Sequence, residues 1–144
     1  MTSSQHASIA QAVSELTVTE ADGSTWIDMS TRPDAIENIG QAVAHEVKNL
    51  GAGAVIGWLS ADETVLAHIV ARELGVPRAV IDVDLGLLTI SPELQPNCDV
   101  LVVATSLDQY PSLQAIRTVL ESNGHHVVAV VSLDAQSGLE FADA

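Results

Sequence analysis

The sequence predicts an α/β domain of three layers, with a mainly parallel central sheet and helices on both of its faces. Three observations carry this prediction. Short apolar runs alternate with stretches of helical periodicity along most of the 144-residue chain. The runs at 54–57, 79–83, 100–104 and 127–131 are apolar at consecutive positions, as strands covered on both faces are. The intervening helical stretches supply the crossovers that parallel neighbours need.

Each element has its own signal. Ile9, Ala12, Val13 and Leu16 share one face of a short N-terminal helix. Trp26, Ile27, Asp28 and Met29 read as an extended edge segment. Ile36, Ile39, Val43, Val47 and Leu50 recur at helical spacing, with Pro33 suited to the first turn and Gly51 to the position after the end. Residues 54–57 form the first core strand. Ser60 and Glu63 have capping-box spacing. The next helical stripe is Val65, Leu66, Ile69, Val70 and Leu74, stopped by Gly75 with Pro77 beyond. Residues 79–83 are the second core strand. Residues 87–90 read as a short strand, with turns at Ser91-Pro92 and Gln95-Pro96-Asn97. After the third core strand, 100–104, Pro111 starts a helix with Leu113, Ile116, Val119 and Leu120 inside, which Asn123-Gly124 ends. Residues 127–131 are the fourth core strand.

Composition narrows the function. The chain has 5 Lys+Arg against 19 Asp+Glu, a formal charge of -14, and 47% hydrophobic residues. Arg32, Lys48, Arg72, Arg78 and Arg117 form no cluster, which argues against nucleic acid and anionic membranes as partners. The apolar content is too high for a disordered acidic chain. Length suits one domain, 1–144, divided into an N-terminal helical segment, 1–25, and a core, 26–144. Cys98 is the lone cysteine, so no intramolecular disulfide forms, as fits a reducing compartment. The first residues lack the pattern of a secretory signal, and no run approaches the roughly 18 apolar residues of a membrane span. A soluble, cytoplasmic protein is expected.

Three segments resemble the type I phosphoribosyltransferases, particularly the orotate branch. Residues 26–57 (WIDMSTRPDAIENIGQAVAHEVKNLGAGAVIG) look like that family's opening strand, first long helix and first core strand. Residues 57–83 (GWLSADETVLAHIVARELGVPRAVIDV) look like its pyrophosphate loop, helix and strand. Residues 100–134 (VLVVATSLDQYPSLQAIRTVLESNGHHVVAVVSLD) look like the strand, phosphoribosyl-diphosphate loop, helix and strand that define the family. The resemblance implies the phosphoribosyltransferase fold and a homodimer.

It breaks at the chemistry. The family's signature loop opens with two acids that hold the ribose hydroxyls; Ala104 and Thr105 stand there. Small residues then cradle the 5′-phosphate through backbone N–H groups; here the run is Asp108, Gln109, Tyr110, Pro111 and Ser112, of which only Ser112 agrees. Pro111 removes a donor, Tyr110 puts a ring where glycine lets phosphate approach, and Asp108 adds like charge. Two unit charges about 4 Å apart repel by ~1 kcal/mol in bulk water and ~4 kcal/mol at an effective dielectric of 20. The pyrophosphate loop, glycine-rich in the family, reads Gly57, Trp58, Leu59, Ser60, Ala61, followed by Asp62 and Glu63. The family's mobile loop with catalytic Lys or Arg falls at 84–99, which holds neither and is short for a lid.

The remaining polar residues receive structural readings. Asp62, Glu63, Asp82, Asp84 and Asp108 are expected on one rim at the carboxyl ends of the strands, as a solvated acidic edge with helix capping in preference to a metal site. His125 and His126 belong at the opposite end, pointing to opposite faces. Cys98 is a structural thiol, and His45 and His68 take no role. Trp58 and Tyr110 are expected to fill part of the substrate pocket. The resulting expectation is a phosphoribosyltransferase-like protein without transferase activity: no catalytic residue, metal or cofactor, and a binding, regulatory or oligomer-forming role with an unnamed protein or small-molecule partner. The alternative is a divergent active enzyme that uses magnesium and transfers phosphoribosyl from its diphosphate to a pyrimidine-type base. An unrelated flavodoxin-like or receiver-type domain is a third reading, which strand order separates.

Overall fold

A computed structural model describes residues 3–106, 112–134 and 138–142. Helix α1 (Ser3–Leu16) leads into a two-stranded antiparallel hairpin of β1 (Thr17–Thr19) and β2 (Thr25–Ile27). Then come α2 (Pro33–Val47), β3 (Ala54–Trp58), α3 (Ala61–Leu74), β4 (Arg78–Asp84), β5 (Leu87–Ser91), β6 (Asp99–Ala104), α4 (Leu113–Ser122), β7 (His126–Asp134) and β8 (Gly138–Ala142).

The main sheet has six strands in the order β5-β4-β3-β6-β7-β8. Its four central strands are mutually parallel, and β5 and β8 close the two edges antiparallel. A flavodoxin-like sheet would continue with a further parallel strand beyond β7. The antiparallel β8 stands there, which removes that third reading. The Trp26 segment is likewise not an edge of the main sheet: Val18 pairs with Trp26 in the separate hairpin.

Two cores sandwich the sheet. On one face α1, α2 and α3 cover Val55, Leu101, Val103, Val131 and Leu133. On the other, Ile116 and Leu120 of α4 cover Ile56, Trp58, Ile81, Val102 and Val130. A register shift against Val100/Leu101 inserts an extra residue in β7, so that Val127 and Val130, three apart, both face α4.

Local signals explain the boundaries. Pro33 begins α2, and Gly51 ends the following turn in the left-handed region. Leu50, expected on the inner face, is exposed, because residues Lys48–Leu50 tighten into a 3-10 turn that rotates it away from the core. Val65 is also exposed: the residues α3 buries are centred on Leu66, Ala67 and Val70, and Val65 sits on the flank. Gly75 closes α3 at φ +70°, with Val76 N–H donating to Ala71 C=O at 3.1 Å. Helix α4 starts two residues later than Pro111 would place it, at Leu113, because Ser112 is its N-cap; Pro111 lies outside the described residues. Among the described residues, no helix is long and apolar enough to cross a membrane.

Candidate functional site

Ligands of open α/β sheets bind outside the carboxyl ends of the parallel strands. Here that rim is formed by the connections β3–α3 and β6–α4 and by the β4–β5 turn. The β3–α3 connection is tighter than its sequence suggests. Gly57 and Trp58 lie inside β3 and Ala61 already belongs to α3, so only Leu59 and Ser60 form the loop. Gly57 faces α3: a Cβ there would lie 3.4 Å from Glu63 Cβ and 3.6 Å from Ala67 Cβ. Trp58 is buried in the α4-side core with Ile81 and Ala104. Its expected partner, Tyr110, lies outside the described residues, as do Asp108, Gln109 and Pro111.

The capping box at the start of α3 forms in part. Ser60 Oγ accepts from Glu63 N–H at 3.2 Å and donates to Glu63 Oε2. The other carboxylate oxygen leaves its own helix. Glu63 Oε1 accepts from the Thr105 N–H at 2.9 Å and from Thr105 Oγ1 at 2.5 Å. Glu63 is 2% exposed, so it is not part of a solvated edge. Its carboxylate is buried and compensated by hydrogen bonds, the condition under which a buried charge is tolerated. It joins the two connections that the sequence aligns with the pyrophosphate and phosphoribosyl-diphosphate loops. Sequence reasoning placed Glu63 on the rim and Thr105 in the second loop but did not pair them.

The rest of the rim is acidic. Asp62 is half-buried, and burial, then the charges of Glu63 and Asp28, push its carboxyl above the ordinary range. Asp82 is half-buried and accepts from the Val83 N–H at 2.8 Å, while Asp84 is exposed. Ala104 ends β6 in the core. Ser112 Oγ accepts from the Ala115 N–H at 3.3 Å, so this hydroxyl caps α4. Both helices that begin at the rim therefore direct serine oxygens at their own first-turn donors. Among the described residues, no group of three or more His, Cys, Asp or Glu is arranged to hold a metal ion. The β4–β5 connection is a tight hairpin turned by Leu85 (φ 51°) and Gly86 (φ 81°).

At the other end of the strands, Cys98 N–H donates to His125 Nδ1 at 3.2 Å, and His126 N–H donates to Cys98 C=O at 2.9 Å. His125 is buried and His126 exposed, in line with opposite orientations. Burial, then the charge of Asp99, raises the Cys98 thiol pKa, which makes it a poor nucleophile.

No protein-family model matches the chain, and no curated protein sequence matches it. Solved structures do. Adenine phosphoribosyltransferase from Leishmania tarentolae superposes with a TM-score of 0.69 at 15% identity, over 88% of this chain and 73% of that one. Adenine phosphoribosyl transferase from Trypanosoma brucei, solved with AMP, pyrophosphate and ribose-5-phosphate, gives 0.67 at 14%, over 85% of this chain and 65% of that one. Orotate phosphoribosyltransferase from Mycobacterium tuberculosis, solved with inorganic phosphate, gives 0.62 at 23%, over 88% of this chain and 73% of that one. The chain thus spans between 65% and 73% of their lengths. It has the fold of the type I phosphoribosyltransferases. Adenine and orotate enzymes both match, so the fold does not single out the orotate branch.

Proposed function

We propose that this chain uses the phosphoribosyltransferase fold without phosphoribosyl transfer, as a binding or regulatory protein that pairs with a second copy of itself and needs no cofactor. The observation that carries the reading is the Glu63–Thr105 clasp. A fold that holds a sugar diphosphate needs free donors and cations where its loops converge. Here a buried carboxylate takes the Thr105 donors from within, and Asp62, Asp82 and Asp84 add negative charge around it. None of the chain's five Lys and Arg falls in the two aligned loops or between residues 84 and 99. An incoming polyanion would displace one anion and face three others.

The test is calorimetric titration with phosphoribosyl diphosphate and magnesium, with parallel turnover assays on orotate and on adenine. The expected result is no saturable heat and no pyrophosphate release above blank. Magnesium-dependent binding, or nucleotide formed from either base, overturns the reading in favour of a divergent active enzyme. Sedimentation of the full chain tests the pairing.

A further inference from the structure

On the α4 face of the sheet, a cavity of about 450 Å³ opens between β5, the turn leading to β6, and the last turn of α4. Its volume falls in the range of small-molecule sites, roughly 300–1,000 Å³. It exists because the two faces of the sheet are covered unequally. Among the described residues, three helices lie on one face and α4 on the other, and the sheet beside α4 toward β5 is left partly open.

The lining mixes apolar and polar side chains. Leu88, Ile90, Leu94 and Val119 supply the apolar surface, and Thr89, Glu93, Asn123 and His125 the polar groups. Three of the polar groups have defined states. Asn123 spends its Nδ2 on the Val119 C=O at 2.7 Å, which leaves Oδ1 as an acceptor. His125 accepts the Cys98 N–H at Nδ1, so its neutral ring carries the proton on Nε2. Glu93 is exposed and contributes a carboxylate. No Lys or Arg lines the cavity, and the whole chain carries -14.

We propose that this cavity binds a small organic cation, a protonated amine on an apolar body. The body lies on Leu88, Ile90, Leu94 and Val119. The ammonium donates to Glu93 and to Asn123 Oδ1. The field of an acidic chain favours such a ligand over an anion of the same shape.

Phenethylamine, phenylethanol and phenylacetate form a test series in which the apolar body is constant and only the charge changes. Each is titrated into the full chain and followed by amide chemical shifts and calorimetry. Phenethylamine is expected to move the amides of residues 88–94 and 119–125 with saturation, and to bind at least about tenfold more tightly than the other two, a difference of ~1.4 kcal/mol. Glu93→Gln, at an exposed position, should weaken it about tenfold, on the order of 1.4 kcal/mol, without changing the melting temperature. Val119→Phe, which fills the cavity, should abolish binding. Three results overturn the proposal: shifts spread diffusely over the acidic surface, equal affinity for all three probes, or unaltered binding by Glu93→Gln.

Discussion

Replacing Glu63 tests the central feature of the rim. Glu63→Ala removes the acceptor from the Thr105 N–H and Oγ1 and frees the Ser60 hydroxyl. Ser60 is exposed, so water replaces its lost partner. Thr105 is half-buried, and its backbone N–H cannot rotate to find water as a hydroxyl can. A buried donor left unpaired costs about 1–3 kcal/mol, and a hydrogen bond to a charged group is worth about 1.5–3. Against this, truncation relieves the desolvation of the carboxylate, and alanine is the best helix former. The net expectation is a loss of about 2–3 kcal/mol, read as roughly 5–10 °C in melting temperature for a domain of this size. Glu63→Gln keeps the shape and one oxygen for Thr105, and its amide can donate to Ser60 Oγ, so it should cost no more than about 1 kcal/mol. Thermal and urea denaturation of both variants, with Thr105→Val alone and in combination, complete a double-mutant cycle. A Glu63→Ala chain as stable as the parent, or a zero coupling energy with Thr105, would refute the clasp.

Other positions are equally testable. A Cβ on Gly40 would fall 2.3 Å from Ile69 Cγ2, so Gly40→Ala must push α2 from α3; overpacking of about 1–3 kcal/mol outweighs a helix-propensity gain of about 1, and urea denaturation should show a net loss. Leu85 is 97% exposed in a left-handed conformation before Gly86, so Leu85→Asn should raise the urea midpoint, stabilising the hairpin by about 0.5–1 kcal/mol. Asp28 is held below the ordinary carboxylate range by the Thr31 side chain first, then by the Ser30 and Thr31 N–H groups. A depressed folded-state pKa stabilises above the unfolded value and is lost as pH falls through the folded one. Asp28→Ala should therefore lower the urea midpoint at neutral pH, and the gap to the parent should narrow below about pH 4.

The sequence by itself determined what depends on neighbouring residues. Helix faces, the Gly51 and Gly75 terminators, the Ser60 cap and the consecutive apolar strands follow from periodicity and backbone preference over one or two turns, and they stand in the structure apart from Leu50 and Val65 on the helix faces. The phosphoribosyltransferase resemblance of three segments likewise led to the fold that the solved structures match. Tertiary structure decided the rest, because those outcomes turn on contacts between distant parts of the chain. Whether Leu50 and Val65 are buried depends on which flank a neighbouring helix covers. The extra residue of β7 is set by register against β6, and the cavity by how α4 packs beside β5 and the turn that follows it. Glu63 shows the division within one side chain. Local spacing sends one carboxylate oxygen back to Ser60, while the packing of α3 against β6 sends the other to a backbone N–H 42 residues away. No periodicity encodes that second bond, and on it rests the reading of this rim as closed to the ligand that the fold otherwise holds.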